Sequence, residues 1–434
     1  MNNVILTPNL FAKFTCMNLG RNLAVCRNMC KDVTPEFMNK KNPIGAMVQV
    51  RKPYRFLVTD GLAYQPQPIV DVVTPVTVNL VSGVHYDWNS IEKTLQIRMG
   101  QQMNDSQLKA LNDLYAGPAA LALASVINAR AATYIAQNTA NNVGTLGTPA
   151  TTQATYLAAG DLLIEQGIPN AEQQNLVLIV NRAMSSAFIG GMSAIFNPQT
   201  ELGAQIKRGE ISRELMGYRI EQDQTINRHA NGVWGSSTPL CNAAVAQTAD
   251  GGNNGTMSLI TDGWASGGTQ ITKGTKFTLG SATSATVGGV NSVHPQTKAD
   301  TGHQQWFTVL DTISDTSGNI TFNIYPAITP YGPQQNVTTG AVNNAIITVL
   351  GTTGLTGSQG ILMHPNAYAF VSVPMVDPEP GMGAICAQVT DPDTGIAMSI
   401  IKAFDSRTRE EIHRIDVLYD FARLYGEMSC VVNG

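Results

Sequence analysis

The chain has 434 residues, too many for one compact core, so two or three packed units are expected. Charged residues make up only 13%, about half the usual share, and the formal net charge is −4. No Lys/Arg-rich run stands out, which speaks against tight DNA binding, and a sparsely charged surface suits a subunit that packs against its own copies.

Taken in chain order, Thr7-Pro8 reads as an N-cap followed by proline at the first helical position. Leu10, Phe11, Phe14 and Met17 recur at helical spacing, which predicts an amphipathic N-terminal arm ending near Asp32, before Thr34-Pro35. Residues 47–88 read as extended. Val48 and Val50 alternate with polar neighbours, Tyr54 to Val58 continues, and Asp60-Gly61 is a turn dipeptide. Ile69 to Val73, Val76 to Val78 and Val84 to Trp88 bring the chain back as strands. Pro53, Pro66, Pro68 and Pro75 exclude a central strand, so a projecting ribbon or edge strands are predicted. Such a ribbon is barely stable alone and needs a surface to lie on, for instance a neighbouring subunit.

Asn104 or Asp105 caps the clearest helix, with Leu108, Leu111, Leu114 and Tyr115 as its apolar stripe. Gly117-Pro118 interrupts it, and Ala119 to Gln137 continues as an Ala-rich second half of a long, broken spine helix. Residues 138–152 form a Gly/Thr/Asn linker. Residues 153–223 look like a small α/β unit: a helix from Tyr156 to Glu165 stopping at Gly167, a strand from Leu176 to Val180, and a helix through Ala183 and Phe188. A short helix and a strand at Tyr218-Arg219-Ile220 lie within Lys207 to Gln222.

The composition then changes. No glutamate occurs between Glu221 and Glu379, no arginine between Arg228 and Arg407, and Gly, Thr, Ser and Asn dominate. β-prone runs recur at Lys276 to Leu279, Trp306 to Thr312, Ile320 to Tyr325 and Ala345 to Leu350, with Trp306, Phe307 and Phe322 as core aromatics. This predicts an inserted β domain, a small barrel or sandwich. Gly360 to His364 and Pro365 to Phe370 read as strand then short helix, the α/β unit resuming. Ile396 to Phe404, Glu411 to Tyr419 and Phe421 to Val432 read as a terminal β meander packed on the spine helix.

Chemistry is sparse. Gly191-Met-Ser193-Ala-Ile195 lacks the last glycine of a nucleophile elbow, and Gly381-Met-Gly383 lacks the third glycine of a dinucleotide fingerprint. No phosphate loop and no histidine pair at metal-ligand spacing is present, so no catalytic, cofactor or metal residues are expected. Asp391-Pro-Asp-Thr-Gly395 reads as a turn. His364 reads as structural, and His413 as lying on a solvated or intersubunit face. Cys16, Cys26, Cys30, Cys241, Cys386 and Cys430 read as buried thiols of a reducing cytosol. The N-terminus lacks a signal peptide's design, and no uncharged apolar run is long enough to span a bilayer. The basic cluster Arg51, Lys52 and Arg55 is expected to pair with acids on a neighbouring copy rather than with nucleic acid, because Pro53, Tyr54 and Phe56 argue for a packed ribbon.

The order of parts, and several stretches, carry a resemblance. They are Val50 to Phe56 leading to Asp60-Gly61, Val70 to Val81, Leu176 to Asn181, Lys273 to Phe277 with Gln305 to Phe307, and Ile412 to Tyr419. The chain resembles the coat-protein family of the short-tailed Salmonella phages, which has the α+β Hong Kong 97-type capsid fold with an inserted β-barrel domain. That resemblance implies a major capsid protein: a non-enzymatic virion component, assembled in the host bacterial cytoplasm into an icosahedral shell around double-stranded DNA, through a scaffolded procapsid that expands. The implied domains are an N-terminal arm (1–46), an extended hairpin (47–90), a peripheral domain with the spine helix (91–150), an apical domain (151–230 and 359–390), the inserted barrel (231–358) and peripheral strands (391–434). The implied partners are other copies in hexamers and pentamers, a scaffolding protein, a portal and a decoration protein, with no membrane and no cofactor. Intersubunit contact candidates are Arg51, Lys52, Tyr54, Arg55, Phe56, Asp60, Phe11 and Phe14. No positions match the lysine–asparagine crosslink of some relatives. The alternative is a tail, baseplate or surface-binding protein using its β insert for recognition.

Overall fold

A computed structural model of the chain describes every residue except 1–3, 6–7, 39–43, 59–60, 62–65, 67–68, 70–71, 86, 97–100, 170–171, 173–174, 193–213, 216, 236–237, 246–254, 266–267, 287, 316, 378–382, 392–394, 406 and 408–409. The fold is mixed α+β, and it divides into two compact units. One comprises Met1–Gln49, Pro75–Ala131 and Ala369–Ala422; the other comprises Val50–Thr74, Ala132–Tyr368 and Arg423–Gly434.

In the first unit the arm helix spans Pro8–Asn22 and buries Phe11, Cys16 and Leu19, whereas Met17 points to solvent. Thr34-Pro35 starts a short helix, Thr34–Met38, instead of closing the arm, because proline at the first helical position favours a helix start. A five-stranded sheet forms around Glu410–Arg423, which pairs with Ala397–Asp405 and with Leu80–His85. The ribbon's predicted strands shift accordingly. Met47–Arg51 pairs with Val73–Thr77, Tyr54 to Val58 forms no strand, and Trp88 opens the helix Trp88–Leu95.

The spine does not break at Gly117-Pro118. It runs Asp105–Leu111, a π turn Asn112–Ala116, then Gly117–Asn138. Pro118 has no N–H, and the Gly117 N–H reaches Asn112 O one residue further back than an α-helix would. The extra residue rotates Leu114 off the buried stripe; it is 60% exposed while Leu111 is fully buried. By length and overall apolarity the helical stretch Asp105–Asn138 could cross a membrane, but it carries charged residues and half of its most apolar window is buried within the chain, as in a core helix.

The second unit holds a seven-stranded mixed sheet in the order Asn141–Val143, Ser429–Asn433, Thr356–Met363, Val177–Val180, Tyr218–Gln222, Glu214–Leu215, with Arg228–Ala230 added on Thr356–Met363. Val177–Val180 is buried at every position and sits mid-sheet. Tyr156 and Leu163 of helix Gln153–Glu165, with Met184 and Phe188 of helix Arg182–Met192, share a core with Leu178, Leu362 and Val432. Three expectations change here. The linker supplies the strand Asn141–Val143, parallel to Ser429–Asn433. Residues 365–370 form a single 3-10 turn, Pro365–Ala367, followed by strand rather than helix. The last run of the presumed meander, Ser429–Asn433, joins this sheet. The predicted short helix near Lys207 lies outside the described residues.

The insert is a six-stranded antiparallel sheet in the order Leu240–Cys241, Met257–Asp262, Ile320–Tyr325, Trp306–Val309, Lys276–Leu279, Ile347–Val349. Alternation places Ile320, Phe322 and Ile324 in one core with Phe277 and Phe307. Its outer strands meet at the bridge Leu240↔Ile346 and through Cys241 N–H to Ala345 O and Ile347 N–H to Pro239 O (2.9 Å each), so the sheet is nearly closed. The incoming and outgoing strands are stitched side by side: Asn231 N–H donates to Leu355 O (2.8 Å), and Gly354 N–H to Gly232 O (3.0 Å). A Cβ on Gly232 would lie 1.9 Å from Gln270 O, a backbone atom that has nowhere to go. Gly232→Ala is therefore expected to cost about 2–4 kcal/mol by overpacking and backbone shift. A thermal melt coinciding with that of the parent protein would refute this account of the stem.

Candidate assembly surface and its charged cleft

Lys52 N–H donates to Val72 O (2.9 Å), and Pro53, having no N–H, ends the ladder there. The chain then runs past Tyr425–Met428 of the same unit. Arg55 Nη2 donates to Glu427 Oε1 at 2.8 Å, and Tyr325 OH to Glu427 Oε2 at 3.4 Å. The Arg423 guanidinium lies 3.5 Å from the centroid of the Tyr325 ring, and Lys52 Nζ 5.4 Å from that of Tyr425. Burial pushes the Glu427 carboxyl up, but Lys52, Arg55 and Arg423 together outweigh it and hold the group below its ordinary value. Burial in turn pushes the Lys52 ammonium down, partly opposed by Glu427. Lys52, Arg55, Tyr325, Tyr425 and Glu427 line a cleft of about 120 Å³.

The structure separates the predicted contact residues. Arg51 is exposed, and Tyr54 and Phe56 are 42% and 60% exposed on the loop. Val58 and Ile69 are more exposed still. Phe11 is buried within its own unit, Phe14 is half-buried, and Asp60 lies outside the described residues. For Arg55 the acid partner sought in a neighbouring copy is Glu427 of the same chain. His413 is buried, not on a solvated face, because Glu410–Arg423 is an interior strand of its sheet. His364 caps the Pro365–Ala367 turn: Nδ1 accepts from Asn366 N–H at 3.2 Å and Nε2 lies 2.8 Å from Glu172 Oε2, a structural arrangement that fixes the ring. Phe307 and Phe322 are core residues, and Trp306 is half-buried. All six cysteines are free, and among the described residues no group of His, Cys, Asp and Glu could hold a metal.

One buried group was missed entirely. Lys276, on an insert strand, is fully buried, and its ammonium donates to Ala136 O (2.7 Å), Thr139 O and Thr308 Oγ1 (3.1 Å). Ala136 is in the last turn of the spine helix, whose carbonyls carry the negative end of the helix dipole. A cation there satisfies acceptors that the helix itself leaves open. Burial pushes its pKa down to about 7, while the surrounding oxygens and the helix end favour the charged form. The available sequence signals were a lone lysine inside the β-prone run Lys276 to Leu279 and lone charges, Arg423 and Glu427, inside the apolar run from Phe421 to Val432.

No curated protein matches the chain. Solved structures with some likeness include one of Mycobacterium phage Che8 (TM-score 0.40, 11% identity, covering 94% of this chain and 90% of that one). Others are the capsid of cyanophage P-SCSP1u (0.36, 9%, 90% and 83%) and the mature capsid of bacteriophage PhiM1 (0.38, 7%, 89% and 81%). The assignment rests instead on the family model described as P22 coat protein, gene protein 5, which matches residues 89–432. Nothing found supports the tail or baseplate alternative. The chain thus belongs to the P22 coat protein family, and it is a major capsid protein that self-assembles into the head shell of the phage virion.

Proposed function

We propose that the chain forms this shell as a Hong Kong 97-type subunit, and that the loop carrying Arg51, Tyr54 and Phe56 is laid against a neighbouring copy. Membership of the coat family carries the shell, and the exposed side chains of Tyr54, Phe56, Val58 and Ile69 support the placement of the loop. Four large exposed apolar groups within residues 54–69 are costly in water and favour a surface covered on assembly. Residues 1–46 serve as the arm, 47–90 as the overlapping hairpin, 91–150 with 391–434 as the peripheral domain, and 151–230 with 359–390 as the apical domain. Assembly proceeds in the host cytoplasm through a scaffolded procapsid that expands, with a portal and a decoration protein as further partners. The shell encloses double-stranded DNA without reading its sequence, and the subunit performs no catalysis.

The insert (231–358) steadies the subunit rather than binding a ligand. Negative-stain microscopy of the protein, expressed alone and with a scaffold, is expected to show closed shells or spirals that become regular. Replacing 232–357 by a short linker is expected to abolish folding or alter shell size. Small rings or monomers from the intact chain under both conditions would sink the shell reading; unchanged shells from the deletion would sink only the role given to the insert.

A further inference from the structure

Where the insert meets the end of the spine helix, two bases are buried side by side. The insert's turn at 272–275 is fitted against this end. Thr272 Oγ1 donates to Ala230 O (2.8 Å), Lys276 Nζ reaches Ala136 O and Thr139 O, and Thr308 Oγ1 donates to Gln137 O (3.2 Å). His229 is the middle residue of Arg228–Ala230, which leads into the insert, and it pairs with Gly357 of the strand that leaves it. Its ring therefore sits at the neck of the insert, and it is 6% exposed. His229 Nε2 lies 3.4 Å from Thr275 Oγ1, and that hydroxyl already donates to Thr272 O (2.8 Å). Nε2 is thus the donor of the pair, and a second proton would have to go to Nδ1. Burial and then the Lys276 ammonium push the ring's pKa down to about 4, opposed in part by Asn231. Thr275, Asn231 and Gln137 around the ring are neutral, and among the described residues no carboxylate acts on either base. The Cys430 thiol faces Lys276 from Ser429–Asn433, but burial pushes it up, so it stays neutral in acid.

We propose that this joint is an acid-released latch: a second proton on His229, beside the charged Lys276, frees the insert from the end of the spine helix while the insert's own sheet stays folded. The inference goes beyond the shell reading and does not depend on it, because the latch lies within one subunit. With the joint closed, two like charges would share a buried site that offers no acid to either. With the joint open, water returns the ring to its ordinary value near 6.5. The open form therefore binds more protons between about pH 6.5 and about pH 4. The latch holds fully above this window and weakens as pH falls through it, by at most about tenfold per pH unit and about 300-fold across it. Lys276 carries its charge below about pH 7, so it repels throughout. The core that holds Phe277, Phe307 and Phe322 contains neither base, so protonation at the neck leaves the insert's sheet intact.

The test is amide hydrogen exchange of the full chain, kept as free subunits and read by mass spectrometry from about pH 7 to about pH 4, with each rate corrected for its intrinsic pH dependence. Peptides over 136–140 and 272–276 are expected to open progressively as pH falls, while those carrying Phe307 and Phe322 stay protected. His229→Gln keeps a donor for Thr275 but takes up no proton, so this acid response should vanish. Glu427, which meets the insert through Tyr325, is untouched in that variant, so the difference between parent and variant isolates His229. Equal acid responses in the two proteins overturn the proposal. So does a parent whose joint stays closed down to about pH 4, or whose joint and insert core open together, which is plain acid unfolding. Should His229→Gln fail to fold, the exchange of the imidazole C2 hydrogen in the parent decides. A His229 titration well below 6.5 supports the latch, and one at the ordinary value overturns it.

Discussion

Glu427→Gln is expected to destabilise the free subunit by about 2–4 kcal/mol at pH 7. Removing one partner from a buried charge cluster typically costs about 3–5 kcal/mol, and Arg55, whose side chain is one-third exposed, keeps part of its hydration. The substituted amide keeps the shape and still accepts from Tyr325, so the loss isolates the charge. Its pH dependence has a definite sign. The carboxyl is held below its ordinary value, so its contribution is complete above the unfolded carboxyl's range and fades as pH falls through the lower folded value. Chemical denaturation of parent and variant should show a gap at neutral pH that closes on acidification below about pH 4. A gap that stays constant from neutral to acid would mean that Glu427 acts through packing and not through charge.

Lys276→Met is expected to cost about 2–5 kcal/mol, because it retains the length and apolar stem of the side chain but leaves two carbonyls and a hydroxyl buried without their donor. The pH dependence has the same sign as for Glu427 but lies in a higher window. Burial lowers the folded pKa to about 7 from an unfolded value near 10.5, so between these limits the unfolded chain binds more protons than the folded one. The parent therefore gains stability relative to Lys276→Met as pH rises from about 7 to about 10, by at most about 1.4 kcal/mol per pH unit. A parallel pair of stability curves across that window would show that the helix end, not burial, governs the ammonium. A variant more stable than the parent at every pH would mean that the three acceptors are worth less than the desolvation of the lysine.

Both groups also mark how far a sequence reading reaches. Local patterns were legible: the helix starting at Pro8, the strand Val177–Val180, the alternating Ile320–Tyr325, and the sharp compositional change that flags an insert. These follow from hydrophobic periodicity and turn chemistry, which act over a few residues. Proline was read too simply. At Pro118 the helix absorbs the missing N–H in a π turn, and at Pro35 it begins a helix where the sequence suggested an ending.

The charged residues were the least legible. Lys52 and Arg55 looked like surface decoration on a ribbon, yet Arg55 meets an acid 372 positions away, and Lys276 reaches a helix end 140 positions back. Nothing in a run such as Lys273 to Phe277 states which oxygen will face the ammonium, because that depends on how distant elements pack. By itself the sequence determined the element types, the β-rich insert, the absence of recognisable catalytic motifs and the family resemblance. Only the tertiary structure decided which sheet Ser429–Asn433 joins, that the insert's sheet stays nearly closed, and which buried charges find partners. Backbone preference is local, whereas strand order and the pairing of buried charge are set by contacts between residues far apart in the chain.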